Sequence, residues 1–195
     1  QVFSTGGRPI YHEISAIYVA TQSRVALAFG TGDRWNLWKF GGQTGRFFVL
    51  LDEDFADTNF DGVLNYPCSG CSQPLTESSY VAVDPDAAYD PDNPEYFLFN
   101  GSGGSQRGWF LTLTANEKVI TEGFSLAGVT IFTSFVPTEV ANSDGTCSRA
   151  GTSRIFIVGT VTALGYNIPE GGTLANRVRY TEVPQVTTPP FVEQS

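Results

Sequence analysis

Between residues 108 and 137 the chain reads GWFLTLTANEKVITEGFSLAGVTIFTSFVP, with its apolar positions in short β-branched and aromatic runs separated by polar turns. Runs of about 4–8 such residues bounded by turn formers predict strands. Here they fall over 109–113, 118–124 and 129–135, with Asn116 in the first turn and Gly128 in the second. Glycine takes positive φ without a Cβ penalty, as a tight hairpin requires. The stretch predicts an antiparallel meander.

The same rhythm occurs earlier in the chain. Residues 11–16 (YHEISA) align with 120–125 (ITEGFS), 24–29 (RVALAF) with the strand that ends in 132–135 (FTSF), and 46–51 (RFFVLL) with 154–158 (RIFIV). Similarity over so long a period signals repeated units that stack because one alone leaves a face unburied. The pattern predicts a single all-β segment over 1–195, with antiparallel four-stranded, blade-like repeats at 8–51 and 108–165. An acidic loop insertion (52–106) separates them, and 166–195 forms a terminal strand and tail. Two such units read as part of a β-propeller; a β-sandwich containing two similar meanders is the alternative. A propeller has about 4–8 blades, the chain begins Gln1-Val2-Phe3, and it has no Met. Together these predict a processed or excised piece of a longer polypeptide.

Charge narrows the partners. Twenty acidic against eleven basic residues give a net charge of −9 with no Lys or Arg cluster, whereas nucleic acids and anionic lipids are bound through concentrated positive charge. Multivalent cations are the natural counterpart. No apolar run approaches the roughly 20 residues that span a bilayer as a helix. Cys68 and Cys71 stand in a C-x-x-C spacing and Cys147 stands apart. They suit one disulfide with a thiol left over, a thiol that pairs outside this chain, or half of a zinc site, for which His12 is the one histidine available.

The most specific chemical signal lies in the insertion. Residues 57–65, DTNFDGVLN, have the form D-x-N-x-D-G-x-x-N. This matches the start of an oxygen-donor calcium loop, in which alternate side chains point at the ion and a glycine makes the sharp turn. Asp57, Asn59 and Asp61 would bind through side chains, Val63 through its carbonyl and Asn65 directly or through water. Position twelve is Cys68 rather than a bidentate Glu, so no EF-hand is predicted, and Asp52, Glu53 and Asp54 are candidates for the remaining ligand. The alternative is a solvated turn in which Asp and Asn cap their own backbone. A second run at 84–95, DPDAAYDPDNPE, has five carboxylates at irregular spacing and reads as an exposed polar loop.

Residues 29–34, FGTGDR, resemble a phosphate loop superficially, but lack G-x-x-x-x-G-K-[ST] and a following helix. They predict a sharply turning strand end with Asp33 and Arg34 free to pair. Trp35 and Trp38 follow, and read as packing over a sheet edge or as a ligand platform. No paired catalytic carboxylates and no Ser-His or Cys-His combination emerges, and His12 reads as a packed strand residue. No enzyme is predicted.

Taken in order, RPIY at 8–11, FGTGDR at 29–34, RFFVLLD at 46–52, GWFL at 108–111, EKVITE at 117–122, the strand at 129–137 and Cys147 resemble the carboxy-terminal propeller region of PilY-type adhesins of type IV pili. The resemblance covers residues 8–165. It implies a modified quinoprotein-like β-propeller, extracellular at the pilus tip, partnered by pilins or minor pilins and by the remainder of its parent protein. It also implies roles in pilus biogenesis, attachment to host or abiotic surfaces and twitching motility, with a calcium loop controlling extension and retraction. Asn at 59 and 65 in place of Asp lowers the ligand charge and weakens affinity. Two other readings compete: a glycan-binding surface module using Trp35, Trp38 and Tyr89, and a fragment of a quinone-dependent dehydrogenase, of whose blade motif only Thr162-Ala163-Leu164-Gly165 is present.

Overall fold

The computed structural model describes residues 3–20, 24–52, 76–87, 108–141, 147–173 and 177–184. Ten strands occur among them: β1 (Ser15–Val19), β2 (Arg24–Gly30), β3 (Arg46–Asp52), β4 (Val81–Val83), β5 (Gly108–Thr112), β6 (Lys118–Val119), β7 (Phe124–Leu126), β8 (Val129–Ala141), β9 (Cys147–Gly159) and β10 (Tyr180–Pro184). They form two sheets, ordered β1-β2-β3-β5-β4 and β10-β9-β8-β6, with β7 also paired to β8. The all-β class is as expected. The described residues close into neither a barrel nor a propeller ring.

The internal alignment of the sequence corresponds to topology. Strands β1, β2, β3 and β5 make one antiparallel ladder, and β7, β8, β9 and β10 make another. Aligned segments therefore hold the same rank in each sheet. The 108–137 stretch differs from its reading as one meander. Strand β5 pairs with β3 and β4 in the first sheet, and the span 118–124 is broken into β6 and β7 on either side of a gap in the ladder. In that gap the Thr121 hydroxyl accepts the Thr133 N–H at 2.8 Å, replacing a backbone partner. Between β7 and β8, Ala127 (φ 50°) and Gly128 (φ 81°) both lie in the left-handed region. That is the two-residue hairpin geometry whose twist matches its strands.

Alternation of apolar residues explains the stacking. Ala26 and Ala28 of β2, Phe47, Val49 and Leu51 of β3, and Trp109 and Leu111 of β5 face Phe132 of β8 and Phe156 and Val158 of β9 across one shared core. Phe132 is at its centre, stacked on Phe47 at 3.6 Å and on Phe156 at 4.4 Å between ring centroids. The buried Trp109 indole donates to the Thr160 carbonyl at 2.9 Å, tying the first sheet to the turn after β9.

The first sheet is buried on its other face as well. Phe29, Phe48, Leu50, Tyr80 and Phe110 form a second apolar layer there, capped by Phe3 of the amino-terminal arm. On the second sheet the corresponding outer face carries exposed Phe124, Leu126 and Ile131.

The start of the second acidic run differs from a free polar loop. The buried Arg179 guanidinium donates to the carbonyls of Ala163, Asp84 and Ala87 at 2.8–3.0 Å, and the Tyr180 hydroxyl donates to Asp86 Oδ1 at 2.6 Å. Residues 84–87 are thus fastened to the chain entering β10; 88–95 lie outside the described residues. Burial, reinforced by the Asp86 bond, pushes the Tyr180 pKa up to about 12 from its ordinary 10.0. The fold therefore favours the protonated phenol. Its contribution is complete below pH 10 and is lost as the pH rises toward 12. Denaturant titrations across that range should show stability falling faster for the wild-type chain than for Tyr180→Phe; equal slopes would show that titration of Tyr180 is not linked to folding.

Candidate functional site

The described residues form a cleft of about 260 Å³ at one end of the sheets, between the amino-terminal arm at 7–9, the β2–β3 connection and the 114–118 turn. Its walls approach closely because of glycine. A Cβ on Gly45 would lie 2.5 Å from the Glu117 carbonyl oxygen, and one on Gly32 would lie 2.8 Å from Lys118 Cβ. Backbone bonds join the same segments: Gly32 N–H donates to Pro9, Leu113 N–H to Gly45 and Val119 N–H to Thr31.

The FGTGDR motif ends β2 and enters a 3-10 turn, Arg34–Asn36. Asp33 does not pair with Arg34; its Oδ1 accepts the Asn36 N–H at 3.2 Å and caps the turn. This is the usual task of Asp at a helical N-cap. The following loop is held from below by Lys118. Its Nζ donates to the carbonyls of Leu37, Lys39 and Asn116, each at 3.0 Å. Burial holds the Lys118 pKa below the usual lysine value, with Asp33 partly offsetting that effect.

Two ionic networks brace the cleft. Arg8 donates to the Thr44 and Thr5 carbonyls at 2.8 Å and to Glu77 Oε1, while the other Glu77 oxygen lies 3.8 Å from Arg46 Nε. The second is centred on fully buried Glu117. Its Oε2 accepts from the Thr114 N–H and hydroxyl and from Arg154 at 3.1 Å, and its Oε1 accepts from the Ser134 hydroxyl. Arg154 also donates to Glu182 at 2.9 Å and lies over the Tyr180 ring. Burial alone would lower the Arg154 pKa, but the Glu117 and Glu182 carboxylates outweigh it and raise it.

Asp57, Asn59, Asp61, Val63 and Asn65, which the sequence predicts as ligands of a calcium loop, lie outside the described residues, as do Glu53, Asp54, Cys68, Cys71 and Tyr89. Asp52 is the last residue of β3, so the loop leaves from the end of a central strand of the first sheet. Cys147 opens β9, opposite Ala141. Among the described residues no three His, Cys, Asp or Glu side chains are grouped to hold a metal ion.

His12 precedes β1 rather than lying in a strand, because the ladder with β2 starts only at Ser15. Its Nε2 is buried with no hydrogen-bond partner among the described residues, and burial, then Arg34, lowers its pKa, opposed by Glu122. The two loop tryptophans have different fates. Trp38 packs edge-on against Phe135 at 5.2 Å, whereas Trp35 is 87 % exposed. The cleft itself escaped sequence reading. A signal for it existed: Lys39 and Lys118 are the only lysines in this acidic chain, and both line it.

No family model matches the chain, and no curated protein matches it. Among solved structures the fold is similar to the crystal structure of the Pseudomonas aeruginosa PilY1 C-terminal domain, with a TM-score of 0.57 and 14% sequence identity. The similarity covers 91% of this chain and 40% of that one, so the chain spans less than half the length of the structure it matches.

Proposed function

We propose that this chain is a calcium-binding structural and adhesive module of a type IV pilus tip protein, in which each sheet is one blade of a quinoprotein-like propeller. The observation that carries the reading is the likeness of fold to the PilY1 C-terminal domain over 91% of the chain. Two features support it. The oxygen-donor sequence at 57–65 follows β3 in the chain by five residues, β3 ending at Asp52. The exposed outer face of the second sheet, with Phe124, Leu126 and Ile131, is apolar where a further blade would stack.

On this reading the ion is held by the side chains of Asp57, Asn59, Asp61 and Asn65 and the carbonyl of Val63. Calcium supplies charge to gather those oxygens, and the chain performs no catalysis. The module sits outside the cell at the pilus tip, contacts pilins or minor pilins and the rest of its parent protein, and acts in pilus biogenesis, surface attachment and twitching motility.

Immunogold labelling of the parent protein and twitching assays of a chromosomal Asp61→Ala strain test this. We expect label on pilus tips and reduced twitching in the variant at unchanged protein level. Label absent from pili, or twitching indifferent to the substitution, would contradict the proposal.

A further inference from the structure

The cleft between the amino-terminal arm, the β2–β3 connection and the 114–118 turn has no part in the calcium reading, and the charges along it do not cancel. Arg8 is paired with Glu77, and Glu117 with Arg154. The Lys118 ammonium donates to three carbonyls and lies within electrostatic reach of Asp33 and Lys39: burial is the first cause of its low pKa, after which Asp33 raises it and Lys39 lowers it. Setting Lys118 against Asp33 leaves Lys39. It lines the cleft, and its side chain has neither a hydrogen bond nor an ion pair among the described residues. One positive charge is thus left over in the cleft of a chain whose net charge is −9.

The second observation concerns the neutral groups that line the same cleft. Asn116 lies in the left-handed region (φ 64°) and its Oδ1 accepts the Gly41 N–H at 2.9 Å, which leaves its amide donors unused among the described residues. Gln43 has its Nε2 3.8 Å from where a Cβ on Gly7 would lie, and its amide likewise has no partner among the described residues. A lysine ammonium only donates, and each side-chain amide offers two N–H donors. The complement of that set is a carboxylate, which only accepts and carries a single charge. A phosphate ester carries about 1.5–2 negative charges near neutral pH, more than Lys39 balances in a cleft that Asp33 also lines. The volume of about 260 Å³ is below the roughly 300–1,000 Å³ of pockets for drug-sized ligands, so the cleft takes one small acidic group.

We propose that this cleft binds a single carboxylate, with Lys39 supplying the charge and the side-chain amides of Asn116 and Gln43 donating to its oxygens. The site goes beyond the pilus reading and does not rest on it. The test titrates the whole 195-residue chain with acetate, acetamide, the α-amide of N-acetylglutamate, glucuronate and inorganic phosphate, following the side-chain amide signals of Asn116 and Gln43 by heteronuclear NMR. Acetate should shift both signals saturably, and acetamide, its uncharged isostere, should not. Lys39→Gln should weaken binding roughly tenfold or more, as loss of a hydrogen bond to a charged group does, and should leave the melting temperature unchanged because Lys39 is exposed. Arg34→Gln removes an equal charge from an exposed residue that does not line the cleft, and should change affinity by no more than about twofold, since solvent and salt screen such a charge. Asn116→Asp keeps the acceptor for Gly41 and sets a like charge against the ligand, and should also cost roughly tenfold. Tighter binding of the glutamate derivative than of glucuronate would identify an acidic protein segment as the source of the carboxylate, and the reverse order an acidic glycan; either supports the site. No saturable shift with any carboxylate, equal affinity in the wild-type chain and Lys39→Gln, or tighter binding of phosphate than of acetate would overturn the proposal. So would equal losses in Lys39→Gln and Arg34→Gln, which would mark non-specific attraction. None of these results bears on pilus labelling, so the two readings fail separately.

Discussion

Phe132→Ala should destabilise the chain by about 3–5 kcal/mol, the range for removing a buried aromatic ring. At roughly 2–4 °C per kcal/mol for a domain of this size, the melting temperature falls on the order of 10 °C. The reason is position. Phe132 is fully buried and stacks on both Phe47 of the first sheet and Phe156 of the second, so its loss opens a cavity where the sheets meet. Phe132→Leu fills most of the space and should cost far less. Differential scanning calorimetry of both variants checks this, and a small loss for Phe132→Ala would show that the sheets do not share this core.

Glu117→Ala is expected to cost about 3 kcal/mol, at the lower end of the range for breaking a buried ion pair. Four donors lose their acceptor: the Thr114 N–H and hydroxyl, the Ser134 hydroxyl and one arm of Arg154. Arg154 keeps Glu182 and Tyr180, which limits the loss. A double-mutant cycle with Arg154→Ala isolates the pair, because neighbours in one network are non-additive. Additive losses would show that Glu117 and Arg154 act independently.

How much of this was legible in the sequence follows from the range of the forces involved. Strand positions and the 127–128 turn depend on local pattern, and the match of 46–51 with 154–158 identified strands of equal rank, β3 and β9. Which neighbour a strand pairs with is a non-local matter. Trp109 and Leu111 read equally well as the start of a meander, but their faces are buried between β3 and the second sheet. The same limit hid the Arg179 clamp on 84–87, a contact across more than ninety residues, and the Lys118 bonds to 37 and 39. Nor could pattern separate Trp35 from Trp38, since Phe135, which covers only the latter, is a hundred residues downstream.

Thermal unfolding of the whole chain in calcium and in chelator, beside Asp61→Ala, addresses the loop at 57–65 most directly. Binding to the folded state alone adds RT ln(1 + [L]/Kd), about 2.7 kcal/mol at a hundredfold excess over Kd, or roughly 5–10 °C for a chain of this length. We expect that rise in the wild-type chain and its absence in Asp61→Ala. An equal response in both proteins, or none in either, would contradict it.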